Sequence, residues 1–137
     1  MIPFELPILG EHGATLKSDD VVGKAVWINF FASWCGDCNV EMPDLLSTYA
    51  KYKAEGLTVV GVNVGEPDFR AWAFRERFKI PYPILMDRNS AVFDRYVATG
   101  HIPTNLFYNS ARNITCVSLE GLTHENMEQE VTIALQE

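Results

Sequence analysis

The chain has 137 residues, 47% of them hydrophobic and 21% charged, and a formal net charge of −7. That length suits one domain able to bury a core without disulfide staples. The negative balance argues against nucleic acid as a partner, because phosphates want a basic face, and against docking on an anionic membrane surface. No stretch is long and apolar enough to span a bilayer, and Met1-Ile2-Pro3-Phe4-Glu5 lacks the basic-then-apolar pattern of a secretory signal. The sequence therefore reads as a cytosolic chain or as a mature domain trimmed of its targeting segment. Three cysteines cannot make a disulfide scaffold, so one CxxC pair and a distant third read as a redox or metal feature.

In chain order, residues 1–24 are punctuated by Pro3, Pro7, Gly10, Gly13 and Gly23 and predict an extension with short strands at most. Ala25–Phe31 is a short β-rich run, expected as a buried central strand. Asn39–Glu55 predicts a helix whose stripe is Met42, Leu45, Leu46 and Tyr49, with Gly56 ending it and Pro43 kinking it. Leu57–Val64 is a second central strand. Pro67 suits the first turn of a helix carrying Phe69, Trp72 and Ala73 inward. Tyr82–Met86 predicts a short strand with Pro83 at its start, and Val92, Phe93, Tyr96 and Val97 a short helix. Thr104–Tyr108 and Ile114–Leu119 predict a hairpin about the turn 109–113, and Thr123 can cap a last helix. This is an α/β pattern with a central mixed sheet, whose first two strands are parallel and joined by a right-handed helical crossover. Their carboxyl ends share the edge where such sheets place their sites, with Cys35 after the first strand and Glu66 after the second.

Cys35-Gly36-Asp37-Cys38 joins a strand to a helix. Thiolate is the attacking species, and the positive end of a helix favours it over thiol. Cys35, at the loop end, is expected to be the more exposed nucleophile; Cys38, one turn in, resolves the mixed disulfide. A zinc knuckle needs two further ligands, and Cys116, His12, His101 and His124 are scattered singly. Asn39 follows Cys38 where haem attachment through CxxCH needs histidine. A structural disulfide fits the strand–CxxC–helix context less well than redox work. Cys116, in a late strand, reads as a buried small hydrophobe. Glu66, taken alone, reads as a solvated residue at a helix start.

Trp34-Cys35-Gly36-Asp37-Cys38 with Glu41-Met42-Pro43-Asp44-Leu45 resembles the TlpA/ResA-like branch of the thioredoxin superfamily. The strand Val26–Ser33, the stretch Val60–Glu66 and the late Gly100-His101-Ile102-Pro103-Thr104 match it too, so the likeness runs roughly from Phe4 to the last helix. The resemblance implies a thioredoxin fold in one domain, with 1–24 as an N-terminal extension and 65–89 inserted relative to a minimal thioredoxin. It implies a cis bond before Pro103, with the Ile102 backbone turned to pair an extended substrate chain. It also implies that Trp34 forms an apolar shelf, and that Glu66 lies by the thiols and tunes their protonation. The pair Gly36-Asp37 between the cysteines sets their redox balance. No cofactor or metal is implied beyond the Cys35–Cys38 disulfide. The partners it implies are protein disulfides, including those of apocytochromes before haem attachment, and an upstream thiol reductant. The setting it implies is extracytoplasmic, with a membrane tether outside this chain or secretion behind a cleaved signal; a monomer is expected, though not from the resemblance. Asp37 departs from the family, which places proline there; its charge is expected to disfavour the Cys35 thiolate and make the pair more reducing. The rival readings are a disulfide donor, a binding module without turnover, and a peroxidase, for which no separate peroxidatic-cysteine motif is found.

Overall fold

The computed structural model describes residues 1–98 and 100–137. Its strands are β1 (Glu5–Pro7), β2 (Thr15–Lys17), β3 (Ala25–Phe31), β4 (Leu57–Val64), β5 (Ile84–Asp87), β6 (Thr104–Asn109) and β7 (Ile114–Ser118). Its α-helices are α1 (Gly36–Tyr52), α2 (Asp68–Phe78), α3 (Ala91–Tyr96) and α4 (His124–Gln136). The main sheet runs β5-β4-β3-β6-β7, with β3 parallel to β4 and antiparallel to β6. The expected mixed α/β sheet is therefore present, and β3 is its centre.

Position explains composition. All seven residues of β3 are buried, as a strand covered on both faces requires. Trp27 and Phe31 face one core layer with Met42 and Leu45 of α1 and Met127 and Val131 of α4. Val26, Ile28 and Phe30 face the other, with Val92 and Phe93 of α3 and residues of the N-terminal segment. That segment is a working part of the fold. β1 and β2 pair antiparallel, Phe4, Leu6, Leu9 and Val21 are buried, and the Leu9 N–H donates to the Ile84 carbonyl at 2.8 Å. It thereby covers the β5 edge, which would otherwise offer unpaired backbone groups.

Several boundaries differ from the sequence pattern. Helix α1 begins at Gly36, three residues before the expected start at Asn39, because Cys35 itself caps it; it continues through Pro43. After Tyr52 a single 3-10 turn leads to Gly56, whose φ of 104° needs glycine. Pro67 is the N-cap of α2, one residue outside the helix. β5 starts at Ile84, after Pro83, and β7 stops at Ser118.

The clearest departure is α2, where Phe69, Trp72 and Ala73 face outward, with Phe69 67% and Trp72 44% exposed. Ala71 and Phe74 turn inward, and Phe74 stacks on Phe31 at 4.8 Å between centroids. The Ala71/Phe74 pair is an i, i+3 stripe of its own, and the bulkier Phe69/Trp72 pair masked it. Leu45→Ala should cost about 2–5 kcal/mol, because its side chain is wholly buried. Phe69→Ser should stay within about 0.5 kcal/mol, as surface substitutions do. Urea unfolding of the two variants checks this, and a large loss at Phe69 would mean that α2 is turned the other way.

Candidate active site

The β3–α1 junction carries the chemistry. Cys35 is the N-cap of α1 with an extended backbone, and the Cys38 N–H donates to Cys35 Sγ at 3.2 Å. The cap position puts a sulfur where the unpaired N–H groups of a helix start converge. Cys35 and Cys38 form a disulfide. Cys35 keeps 5% exposure against none for Cys38, which accords with attack at Cys35.

The loop ahead of the pair is held from both sides. Glu66, 6% exposed, accepts from the Ser33 N–H at 2.7 Å, the Ser33 hydroxyl at 2.5 Å and Asn63 Nδ2 at 2.8 Å. The solvated reading of Glu66 is therefore corrected: the turn at Gly65 (φ 69°) folds the carboxylate inward onto Ser33. On the carbonyl side, Asn39 Nδ2 donates to Ser33 O and Cys35 O, and Arg77 of α2 donates to Asn39 Oδ1 at 2.9 Å. Trp34, between these anchors, stands 71% exposed. Gly36 and Asp37 are exposed in the first turn of α1.

Across the site, the Ile102–Pro103 peptide is cis. Ile102 is half-buried and Pro103 buried, and both line a groove of about 600 Å³ with Asp37 and Glu120. Trp34 and Glu66 belong to the loop side of the centre, while Asp37, Ile102 and Pro103 share the groove on the other.

Glu41 enters the sequence reading only as part of the family motif, with no role of its own. It is one turn beyond Cys38 and only 2% exposed. Its carboxylate accepts from Asn29 Nδ2 at 2.9 Å, from Asn105 Nδ2 at 3.3 Å and from the Leu122 N–H at 3.1 Å. Asn105 Oδ1 in turn accepts from Trp27 Nε1 and Asn29 Nδ2, both at 2.8 Å. Burial raises the Glu41 pKa above the ordinary carboxylate value, and these donors only partly offset it. The available signal was the i, i+3 spacing from Cys38, which put a carboxyl on the inward face of α1 among Met42 and Leu45. Cys116 is half-buried, with its pKa pushed up to about 11 by burial and Glu130, so it is a thiol at neutral pH. Among the described residues no group of three or more His, Cys, Asp or Glu is arranged to hold a metal.

A thiol pair capping the helix after the central strand, with a cis-proline opposite, defines a thiol–disulfide oxidoreductase of the thioredoxin fold. The chain belongs to the AhpC/TSA family, whose model matches residues 1–117. It is 34% identical over 126 residues to the thiol-disulfide oxidoreductase ResA of Geobacillus kaustophilus, covering 92% of this chain and 71% of that one. A thiol:disulfide interchange protein of the thioredoxin family from Chlorobium tepidum superposes with a TM-score of 0.78 at 27% identity, covering 98% of each chain. A secreted Mycobacterium tuberculosis disulfide oxidoreductase shares the fold at a TM-score of 0.84 and 22% identity, over 95% of each chain.

A carboxyl with a raised folded-state pKa holds its proton more tightly when folded. Its stabilising share is complete below the unfolded pKa and is lost as pH rises through the folded one. The melting-temperature difference, Glu41→Gln minus wild type, should therefore grow as pH is raised from about 4 to about 7. A difference independent of pH would show that the Glu41 proton is not coupled to folding.

Proposed function

We propose that this chain is a dithiol reductant of disulfides in extracytoplasmic proteins, with apocytochromes before haem attachment as one client class. The observation that carries the reading is Cys35 at the N-cap of α1 with Cys38 bonded behind it. In the reduced protein the Cys35 thiolate attacks a client disulfide. A mixed disulfide forms, and the first client sulfur leaves as thiolate and takes a proton. Cys38, deprotonated, attacks Cys35 Sγ; the Cys35–Cys38 disulfide forms and the second client thiol departs. Two electrons pass to the client, and an upstream dithiol must return two.

In this reading Trp34 offers the client an apolar face, and the Ile102 backbone beside Pro103 pairs with its extended chain. Glu66 tunes the thiols through Ser33, whose N–H and hydroxyl it holds, and Glu41, buried three residues beyond Cys38 on α1, serves as acceptor of the Cys38 proton. The extracytoplasmic setting follows the likeness to ResA-like proteins.

One observation favours the opposite direction. The helix N-terminus stabilises a thiolate, and a more stable thiolate makes a stronger oxidant. Asp37 opposes it, being an exposed carboxylate in the same first turn. We expect Asp37 to prevail, with a potential near about −270 mV, as in thioredoxin, not about −120 mV, as in a disulfide donor. Asp37→Pro should then move to less negative values, and Glu66→Gln should shift the Cys35 thiol pKa. Equilibration against glutathione and thiol alkylation against pH measure both. A more reducing Asp37→Pro removes the argument for direction, and an unmoved pKa removes Glu66 from the tuning set.

Cys38→Ala should accumulate mixed disulfides through Cys35 when expressed in the native host's extracytoplasmic space. They should appear as dithiothreitol-sensitive bands absent from Cys35→Ser. Full biological function in Cys35→Ser would replace the reductant by a binding module.

A further inference from the structure

The sheet order puts two different surfaces on either side of the redox centre. β3 is central, so α2, between β4 and β5, lies to one side of Cys35, and the ends of β6 and β7 lie to the other. α2 packs through Ala71 and Phe74 on the same core layer as α1 and α4, so α1 carries its disulfide between two flanking grooves.

The grooves have opposite charge. On the β6/β7 side, one groove of about 600 Å³ is lined by Asp37, Ile102, Pro103 and Glu120, with the exposed apolar Val117 and Leu119. A second, of about 450 Å³, shares Asp37 and Glu120 and adds Asp44 and the 76% exposed Val40. Among the described residues no Lys or Arg lines either. On the α2 side, a groove of about 260 Å³ is lined by Ser33, Phe69, Arg70, Ala73, Phe74 and Arg77, with no carboxylate among them. Arg70 lies over the Phe69 ring at 5.4 Å, so a guanidinium and an aromatic face are presented together. A basic, aromatic surface beside the thiols is conspicuous in a chain of net charge −7. Nothing in the fold requires it, since Phe69 and Arg70 pack against no core.

We infer that the disulfide sits on a charge boundary that reads a client polypeptide in one orientation, with basic residues over Asp37 and Glu120 and acidic or aromatic residues over Arg70 and Phe69. This rests on the reading above that clients are polypeptide disulfides. An extended chain advances about 3.3 Å per residue, so charges two to four residues from the reacting cysteine sample ground about 7–13 Å from it. That is comparable with the screening length of about 10 Å at 0.1 M salt, so the discrimination is an effect of low ionic strength. Complementary charge raises the encounter rate and reversed charge lowers it.

The test uses two neutral peptides of identical composition, each holding one cysteine as a mixed disulfide with 2-mercaptoethanol. One has two Lys before the cysteine and two Glu after it; the other has the order reversed. The protein is prereduced, and release of peptide thiol is followed in low salt. The two second-order rate constants should differ at least about fivefold, and the difference should close to within about twofold in 1 M salt, where screening falls to about 3 Å. Glu120→Lys combined with Arg70→Glu should reverse the order, and Glu120→Gln alone should narrow it. Each protein is its own control, because partial unfolding lowers both rates and cannot invert their ratio. Equal rates in the wild type overturn the orientation, and an unchanged ratio in the double variant overturns its assignment to these residues. If neither peptide is reduced while 2-hydroxyethyl disulfide still is, the reading of polypeptide clients fails instead.

Discussion

Everything at the site depends on one hydrogen bond, the Cys38 N–H to Cys35 Sγ. It makes a sulfur the cap of α1, and so makes the helix start and the redox centre one feature. The cap holds because β3 is buried on every residue and delivers the chain to a fixed point at its carboxyl end. It also holds because α1 is pinned along its length by Met42 and Leu45 in the core and by Lys51 and Tyr52, both donating to Glu128 of α4. These anchors lie well away from the first turn, so the position of α1 does not rest on the disulfide alone.

Beneath that helix the core is not wholly apolar. Asn29, Asn63 and Asn105 are fully buried on three adjacent strands, where propensity and burial both favour hydrophobes. Their side-chain amides serve two carboxyls, Glu41 and Glu66, placed on opposite sides of the thiol turn. The two differ in what they hold. Glu66 grips backbone and hydroxyl of Ser33, so its charge fixes a loop. Glu41 accepts from side-chain amides and one N–H under the helix, and burial dominates its titration. A buried polar network is costly where it is part made, and Asn29 Oδ1 and Asn63 Oδ1 are buried without a partner among the described residues, which is a reason for it to exist only where a proton or a precise loop position is needed.

The sheet, the helix order and the thiol pair were legible because each writes a local pattern. β3 and β4 are continuous apolar runs, α1 has a stripe at helical spacing, and CxxC follows a strand. What was not legible depended on tertiary contact. Glu66 looks solvated in sequence, since nothing local says that Ser33, thirty-three residues earlier, will close over it. Glu41 was hidden among ordinary helix residues, because its importance comes from Asn29 and Asn105 on strands distant in sequence. The extension 1–24 lacks long periodic runs, yet single residues such as Leu9 and Val21 are among the better buried.

The misjudged face of α2 has a physical cause that bears on function. In a helix that only has to cover a sheet, the largest apolar residues go inward, since burying them contributes most. α2 does otherwise: Ala71, Phe74 and the partly buried Phe78 serve inside, while Phe69 and Trp72 stay out with arginines over their rings. That arrangement forgoes hydrophobic stabilisation, and the arginine stacking keeps the rings from forming a bare apolar patch. Arg77 of the same helix reaches Asn39, which holds the carbonyls of Ser33 and Cys35. The outward face of α2 and the geometry of the thiol loop are thus mechanically joined, so whatever docks on one bears on the other.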